Sequence, residues 1–300
     1  MNKAAYIEGL SKGDSRVLSK AISLAESQLP EHQKLALELI EHFEPSTTSK
    51  RIGITGTPGA GKSTFIDRYG SFLLTQDDSE KVAVLSIDPS SSISGGSILG
   101  DKTRMGSLNR SERVFIRPSA SGSNLGGLAR STRLAMLLCE AAGYTTILIE
   151  SVGVGQGETE IAQLCDLFLL VLNPGGGDEL QGIKRGIVEM ADLLVVNKSD
   201  GERKEIAKQT VKDYRNAQRL MPQTKSGWKP KVIECSSTEG NGIESVHQSI
   251  LDYFDFIKEL KQNHRLEQRQ YWVFKVLQDL LLQGLSKREL KLEKALQEGV

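Results

Sequence analysis

Short runs of apolar residues, separated by stretches long enough for a helix, recur through the middle of the chain. One run containing Ile52 and Ile54 ends in a glycine-rich turn, and further runs follow at residues 82–87, 114–116, 145–149, 167–172, 193–196 and 231–233. Continuous apolar runs rich in leucine and β-branched residues are typical of parallel strands that helices cover on both faces. The pattern therefore predicts an α/β domain over residues 46–262, with a doubly wound, mostly parallel sheet.

The two ends of the chain carry apolar residues at helical spacing instead. In residues 1–45 the spacing predicts two or three short helices, which form an N-terminal helical segment. In residues 263–300 it predicts a C-terminal helical extension. One stripe of that extension holds Phe274, Leu277, Leu281 and Leu285. We expect the stripe to be an oligomer contact, although periodicity alone leaves open whether it packs on the core of its own chain.

The glycine-rich turn after the first run carries the most specific motif. Residues 56–63, Gly-Thr-Pro-Gly-Ala-Gly-Lys-Ser, match the P-loop pattern in the strand-to-helix setting that it requires. In such a loop, backbone N–H groups and the start of the following helix bind phosphate. We expect Lys62 to reach the β- and γ-phosphates, Ser63 to bind Mg²⁺, and Thr64 to lie near the α-phosphate. The predicted nucleotide contacts in this loop are Gly56, Thr57, Pro58, Gly59, Ala60, Gly61, Lys62, Ser63 and Thr64.

A second motif, Asn-Lys-Ser-Asp at residues 197–200, follows the run at 193–196 and predicts the base. The carboxylate of Asp200 can accept hydrogen bonds from N1–H and the exocyclic amine of guanine, whereas adenine presents a bare N1 lone pair that would repel it. Asn197 would brace the loop, and the stem of Lys198 would lie along the base. After the next run, backbone amides at residues 236–238 are placed to receive the guanine carbonyl oxygen. These predicted contacts are Ser236, Ser237 and Thr238.

Carboxylates at two strand ends predict a magnesium site. Asp88 follows the run at 82–87, and Glu150 follows the run at 145–149. Ligands of open α/β sheets bind outside the carboxyl ends of the strands, and Mg²⁺ prefers oxygen ligands. Asp88 and Glu150 could therefore hold the ion together with Ser63. The alternative for each is a solvated strand-end carboxylate or a helix cap.

Three glycine-rich stretches, each after one of the predicted strands, predict switch loops. Residues 90–100 lead into Asp101–Arg104, residues 153–158 follow Glu150, and residues 173–185 follow the run at 167–172. Such loops can be ordered by the γ-phosphate or by a docked partner.

Composition excludes several functional classes. Lysine plus arginine equals aspartate plus glutamate, 38 residues each, so no net charge attracts nucleic acid or an anionic membrane. The three cysteines are an odd number in apolar surroundings, which predicts reduced thiols. No apolar run is long enough for a bilayer, and the N-terminus lacks a signal-peptide core. We expect a soluble, cytoplasmic protein whose partner is another protein or a small molecule.

Taken together, the motifs resemble a known family. Similarity is carried by the P-loop, by the segments 87–91, 99–105, 150–156 and 174–184, and by Asn-Lys-Ser-Asp. They are similar to those of the methylmalonyl-CoA mutase-associated GTPases, the MeaB/MMAA type formerly called ArgK kinases. The resemblance covers about residues 10–260, and the segment Asp-Glu-Leu-Gln-Gly-Ile-Lys at 178–184 is its most specific part.

The resemblance implies a function. It implies a P-loop GTPase, binding GTP and Mg²⁺, that acts as a chaperone for an adenosylcobalamin-dependent acyl-CoA mutase, gates cofactor loading, and protects or reactivates the mutase. The adenosylcobalamin belongs to the partner. A homodimer made partly through the C-terminal extension is also implied.

The resemblance also implies roles for individual residues. Asp88, Asp101 and Glu150 look like the acidic group of the Mg²⁺ site, and residues 178–184 look like a switch that reads the mutase. Within that switch, Lys184 is the expected cation for the γ-phosphate, with Arg104 as the alternative. No glutamine directly follows the Glu-x-x-Gly segment, so hydrolysis should be slow until the partner completes the site. The predicted catalytic residues are Lys62, Asp101, Arg104, Glu150 and Lys184.

Three alternatives stay open at this stage. A GTPase metallochaperone would need clustered thiol or imidazole ligands, but the histidines are scattered and no Cys-x-Cys or Cys-x-x-Cys occurs. A nucleotide-dependent protein kinase would need a second substrate site and a catalytic base, and no motif identifies one. A non-enzymatic adaptor would use GTP only to lock a docking conformation.

Overall fold

The computed structural model describes residues 1–88, 105–120, 125–151, 158–175, 185–219 and 226–297. The chain forms two compact units, Met1–Leu260 and Lys261–Val300. The three-part division predicted at residues 45 and 262 stays a prediction.

The first unit is built on one seven-stranded sheet. Its strands are β1 (Lys50–Gly56), β2 (Val82–Asp88), β3 (Val114–Ala120), β4 (Thr146–Glu150), β5 (Leu167–Leu172), β6 (Leu193–Val196) and β7 (Lys231–Glu234). The spatial order is β3-β2-β4-β1-β5-β6-β7, and every neighbouring pair is parallel. The predicted α/β fold with a doubly wound parallel sheet is confirmed.

Helices precede the sheet and connect its strands. The N-terminal helices are α1 (Lys3–Ser11), α2 (Ser15–Glu26) and α3 (Pro30–His42). The helices between and after the strands are α4 (Lys62–Gln76), α5 (Leu125–Ala141), α6 (Glu158–Ala162), α7 (Arg185–Met190), α8 (Lys204–Gln218) and α9 (Ile243–Phe256). The second unit contains α10 (Lys261–Gln297).

The middle strands are apolar because the core lies against both of their faces. β5 and β6 are buried along their whole length, and Ile52 and Ile54 of β1 are at most 1% exposed. On one face these strands pack with Phe65 and Ile66 of α4, and α9 adds to the same core. β1 lies between β4 and β5, and the phosphate loop begins at its carboxyl end.

The third strand extends beyond its predicted end because a polar residue in it has a distant partner. Residues 114–116 are apolar, but β3 continues through Arg117 to Ala120. The guanidinium of Arg117 donates to the hydroxyls of Ser19 and Ser23 and to the carboxylate of Glu26, all on α2. These bonds engage both terminal nitrogens of the guanidinium, whereas Arg117 Nε and Glu26 Oε1 are buried and have no partner among the described residues. The bonds to α2 also fasten the N-terminal helices to this edge of the sheet.

Two further sequence expectations can be compared with the structure. Cys139, Cys165 and Cys235 are free and buried, as predicted. In the part of the chain that the structure describes, no helix combines the length and the apolar character of a membrane span.

Candidate functional site

The phosphate loop joins β1 to α4, and its glycines are required by backbone shape and close contacts. Gly59 and Gly61 have φ angles of 78° and 87°, a left-handed conformation that side chains rarely adopt. A Cβ atom at Gly61 would also lie 2.6 Å from the side-chain nitrogen of Asn197. At Gly56 it would lie 2.1 Å from the carbonyl oxygen of Val171. Close contacts therefore require glycine at positions 56 and 61, and at position 59 the backbone angle favours it.

The first turn of α4 opens onto this loop. Gly61 is the N-cap, and no side chain caps the helix. The first N–H groups of a helix lack partners within the helix, and together with the helix dipole they favour an anion. This arrangement fits the phosphate cradle that the motif predicts, and the phosphate contacts themselves stay predictions.

Lys62 lies inside the cradle. Its side chain is buried, and its ammonium group donates to the carbonyl oxygens of Gly56 at 2.9 Å and Thr57 at 3.3 Å. Burial lowers the pKa of Lys62, while the nearby carboxylate of Glu150 acts in the opposite direction. A phosphate in the cradle would supply the counter-charge that this buried ammonium group favours.

A hydroxyl and a carboxylate meet at the start of α4. Ser63 Oγ donates to Glu150 Oε1 at 2.7 Å, and Ser86 Oγ approaches Glu150 Oε2 at 3.3 Å. Glu150 ends β4 and is only 7% exposed. Because Mg²⁺ prefers hydroxyl and carboxylate oxygens, Ser63 and Glu150 fit the predicted metal role. Ser86 was not predicted, since a serine inside an apolar run carries no motif.

The remaining predicted metal ligands are less fully described. Asp88 ends β2, just beyond Ser86, which is in register with Glu150 of the neighbouring strand. Its backbone therefore lies at the same edge of the sheet as the phosphate loop. Asp101 lies outside the described residues, as do Arg104 and Lys184. Their predicted roles stay predictions, and so does the coupling role of residues 178–184.

Asn197 connects the phosphate loop to residues 236–239. We call this second segment the base loop, because residues 236–238 are predicted to contact the base. Its side-chain nitrogen donates to the carbonyl oxygen of Ala60 at 2.9 Å. Its side-chain oxygen accepts from both the backbone N–H and the hydroxyl of Ser237, at 3.0 and 2.7 Å. The backbone N–H of Ser237, one of the amides predicted to face the guanine carbonyl oxygen, is thus bonded to Asn197 in this structure. These bonds fit the bracing role predicted for Asn197, which is only 1% exposed.

The neighbouring lysine makes a second connection. Lys198 donates from Nζ to the carbonyl oxygen of Gly59 at 2.5 Å. Among the described residues other than glycine, only Lys198 has a positive φ, at 59°. Backbone strain of this kind is concentrated at ligand sites, and here it directs the lysine stem across the phosphate loop.

Asp200 lies at the base end of the site. Its carboxylate accepts from the hydroxyl of Ser236, which orients it in the loop after β6. A cavity of about 860 Å³ borders Asp200 and is lined also by Lys204 of α8 and Glu239. Thr238, next to Ser237 in the base loop, is exposed. Because Ser236 bonds to Asp200, the three consecutive base-loop residues and Asp200 lie close together, after the ends of β6 and β7.

The structure thus brings together the predicted contacts on the phosphate and base loops. Pro58 and Gly59 lie exposed at the tip of the phosphate loop, Thr57 and Ala60 are buried within it, and Thr64 is exposed in the first turn of α4. Sequence analysis missed Arg68, which contacts the base loop from α4. No signal could have found it, since an exposed arginine on a helix is ordinary.

A phosphate loop after the first strand of a parallel sheet, braced by an Asn-Lys-x-Asp loop, defines a P-loop GTPase. The family model described as methylmalonyl-CoA mutase-associated GTPase MeaB matches residues 18–289. The chain belongs to this family, so guanine-nucleotide binding and GTP hydrolysis in general follow from its membership.

Individual relatives agree with this assignment. A putative GTPase of Caulobacter vibrioides is 47% identical over 90% of this chain and 82% of its own length. The GTPase ArgK of Escherichia coli K12 is 42% identical over 95% of this chain and 87% of its own. A mitochondrial methylmalonic aciduria type A homolog of Mus musculus is 42% identical, over 92% and 69%. A crystal structure of an LAO/AO transport system kinase aligns with a TM-score of 0.79 and 35% identity, over 95% of this chain and 87% of that one.

Proposed function

We propose that this protein hydrolyses GTP at the described site and acts as a G-protein chaperone for an adenosylcobalamin-dependent acyl-CoA mutase of the methylmalonyl-CoA mutase type. In this role it gates cofactor loading and protects or reactivates the mutase. The observation that carries the nucleotide part is Asn197, which bonds to the phosphate loop at Ala60 and to the base loop at Ser237. One buried side chain thereby joins the two halves of a nucleotide site.

The chemistry assigned to the site follows from these positions. The loop N–H groups and Lys62 hold the β- and γ-phosphates, and Lys62 stabilises the charge that develops when the β–γ bond breaks. Ser63 and Glu150 would hold Mg²⁺, with Asp88 and Asp101 as further carboxylates. The ion would neutralise charge on the transferring phosphoryl group. Asp200 selects guanine through N1–H and the exocyclic amine.

The mutase part of the proposal rests on the family and on one loop. The family description names methylmalonyl-CoA mutase, and the name of the mouse relative refers to methylmalonic aciduria. Residues 178–184 are proposed to dock the mutase, and Lys184, or else Arg104, to reach the γ-phosphate once docked. The docked mutase would then accelerate hydrolysis, which is slow in the protein alone, by placing this cation beside the γ-phosphate.

We also propose that the functional unit is a homodimer in the cytoplasm. Four apolar side chains of α10 are at least half exposed: Val273, Phe274, Leu277 and Leu281, at 55%, 72%, 50% and 70%. Phe274, Leu277 and Leu281 are spaced by three, four and seven residues, which places them on one helix face that a second copy could cover. The side chain of Leu285, the fourth member of the predicted stripe, lies outside the described part of the structure. A chain truncated after residue 262 should be monomeric by light scattering, whereas a full-length chain that is already monomeric would contradict the dimer.

One experiment tests the mutase proposal. The protein is used to capture partners from its native lysate with GDP, or with a non-hydrolysable GTP analogue, and captured proteins are identified. Nucleotide-dependent capture of a cobalamin enzyme supports the proposal, and its absence contradicts it. Because one structural relative is called a kinase, the fate of the γ-phosphate is followed in the same material. Release as inorganic phosphate supports hydrolysis, and transfer to a protein would favour the kinase alternative.

A further inference from the structure

We propose that Arg68 is a specificity-determining positioning residue, which aims the backbone N–H of Thr238 at the oxygen on C6 of guanine. The inference rests on the proposed GTP function and deepens it. Arg68 lies on a helix, outside both nucleotide motifs, and would influence the hydrogen bond to the oxygen on C6 of the base.

Arg68 connects the phosphate helix to the base loop. It lies on α4, further along the helix that begins at Lys62. Its Nε donates to the carbonyl oxygen of Ser237 at 3.0 Å, and its Nη2 donates to the carbonyl oxygen of Thr238 at 2.5 Å. A guanidinium group presents its donors in a fixed planar fork, so two consecutive carbonyls are held at once.

Holding a carbonyl also orients the N–H group beyond it. In a trans peptide the C=O and the following N–H belong to one rigid plane and point in opposite directions. The described residues contain no cis peptide bond. Because Arg68 holds the carbonyl of Ser237 toward α4, the N–H of Thr238 must point away from α4.

The other amides of the base loop are already engaged. The N–H of Ser237 donates to Asn197 Oδ1 at 3.0 Å, and the N–H of Glu239 donates to Ser236 Oγ at 3.0 Å. Among the described residues, no acceptor is found for the N–H of Thr238, and this residue is exposed. Thr238 is therefore the amide that this loop keeps for a ligand.

The base has one matching acceptor. Asp200 is occupied with the donors of guanine, N1–H and the exocyclic amine, which leaves the oxygen on C6 for a donor. Adenine carries an amine at this position, which would face the N–H of Thr238 donor to donor. The Arg68 contact should therefore contribute to guanine selectivity without touching the nucleotide.

Dissociation constants for diphosphates test this inference without hydrolysis. They are measured for GDP, for 6-thio-GDP, whose sulfur is a weak acceptor, for IDP, which lacks only the exocyclic amine, and for ADP. The proteins are the parent, Arg68→Ala and Arg68→Lys. Arg113→Ala is the matched control, because Arg113 donates to the carbonyls of Leu74, Asp77 and Asp78 at the other end of α4.

The expected pattern separates a positioning role from a general loss of stability. Arg68→Ala should weaken GDP about five- to tenfold, as for a lost hydrogen bond, and should bring the GDP to 6-thio-GDP ratio toward one. The GDP to IDP ratio should stay unchanged because it depends on Asp200. Arg68→Lys should recover part of the GDP affinity, and Arg113→Ala should leave every ratio as in the parent.

Two results would overturn the inference. One is an Arg68→Ala protein that keeps the parent preference for GDP over 6-thio-GDP. The other is an equal loss of affinity for all four nucleotides, which would indicate only a distorted site. A parent protein that binds ADP as well as GDP would instead contradict the proposed GTP function itself.

Discussion

Replacing Asn197 with alanine should destabilise the nucleotide-free protein, because this residue bonds to both loops. The change removes the bond from Nδ2 to Ala60 and the two bonds that Oδ1 accepts from Ser237. The site is nearly inaccessible to water, with Asn197 at 1% and Ser237 at 4% exposed. The partner groups would therefore be left without acceptors or donors rather than be solvated.

The magnitude follows from these contacts. Each intramolecular hydrogen bond contributes about 1 kcal/mol net, and leaving a buried partner unsatisfied costs about 1–3 kcal/mol. We expect Asn197→Ala to reduce the free energy of unfolding by about 3 kcal/mol. Asn173→Ala is the matched control, because the amide of this half-buried residue makes a long contact of 3.4 Å with the hydroxyl of Thr57. It should cost less than about 1 kcal/mol.

The assay is urea denaturation without nucleotide, followed by circular dichroism, together with a GDP affinity measurement. A loss at Asn197 no larger than that at Asn173 would refute the reasoning that this side chain joins the two loops. A large loss of stability with unchanged GDP affinity would show that the bridge is structural and does not shape the site.

Four further substitutions test other parts of the account. Asp200→Asn should weaken GTP binding by about 2–4 kcal/mol and improve the relative affinity for xanthosine nucleotides, and an unchanged GTP affinity would contradict the guanine assignment. Gly61→Ala should greatly weaken GDP binding because its Cβ would meet Asn197 at 2.6 Å, whereas Gly59→Ala, with no atom within 4 Å of its Cβ, should cost only the strain of its φ angle, about 1 kcal/mol. Burial raises the pKa of Asp192 to about 7, so the native state retains a proton that the unfolded chain releases, and stability falls as pH rises from about 4 to 7. Asp192→Asn should remove about 2–3 kcal/mol of this dependence in denaturation between pH 5 and 8, and parallel pH profiles would contradict the assignment.

The fold was largely predictable because parallel strands buried on both faces leave continuous apolar runs. β5 and β6 begin and end at the predicted residues. The end of β3 was missed because Arg117 is accommodated by Glu26, which lies on a helix far earlier in the sequence. A pairing of that kind leaves no local signal.

Some residues of the site could likewise be predicted from the sequence, and others could not. Lys62, Ser63 and Asn197 could be located because a phosphate loop and a base loop impose fixed spacings on the chain. Ser86 and Arg68 could not, because each acts through a contact that only the folded chain creates. The predicted roles of Asp101, Arg104 and Lys184 concern residues outside the described part of the chain and remain predictions.

The most direct test of the central claim is the rate of phosphate release from saturating GTP, with and without an adenosylcobalamin-dependent methylmalonyl-CoA mutase. Lys62→Ala, which removes the ammonium group from the phosphate loop, is the control for site-specific hydrolysis. We predict slow release by the parent alone, an increase of about tenfold or more when the mutase is added, and almost no release by the variant in either case. An unchanged rate in the presence of the mutase would contradict the proposed partnership, and retained activity in Lys62→Ala would contradict the assigned site.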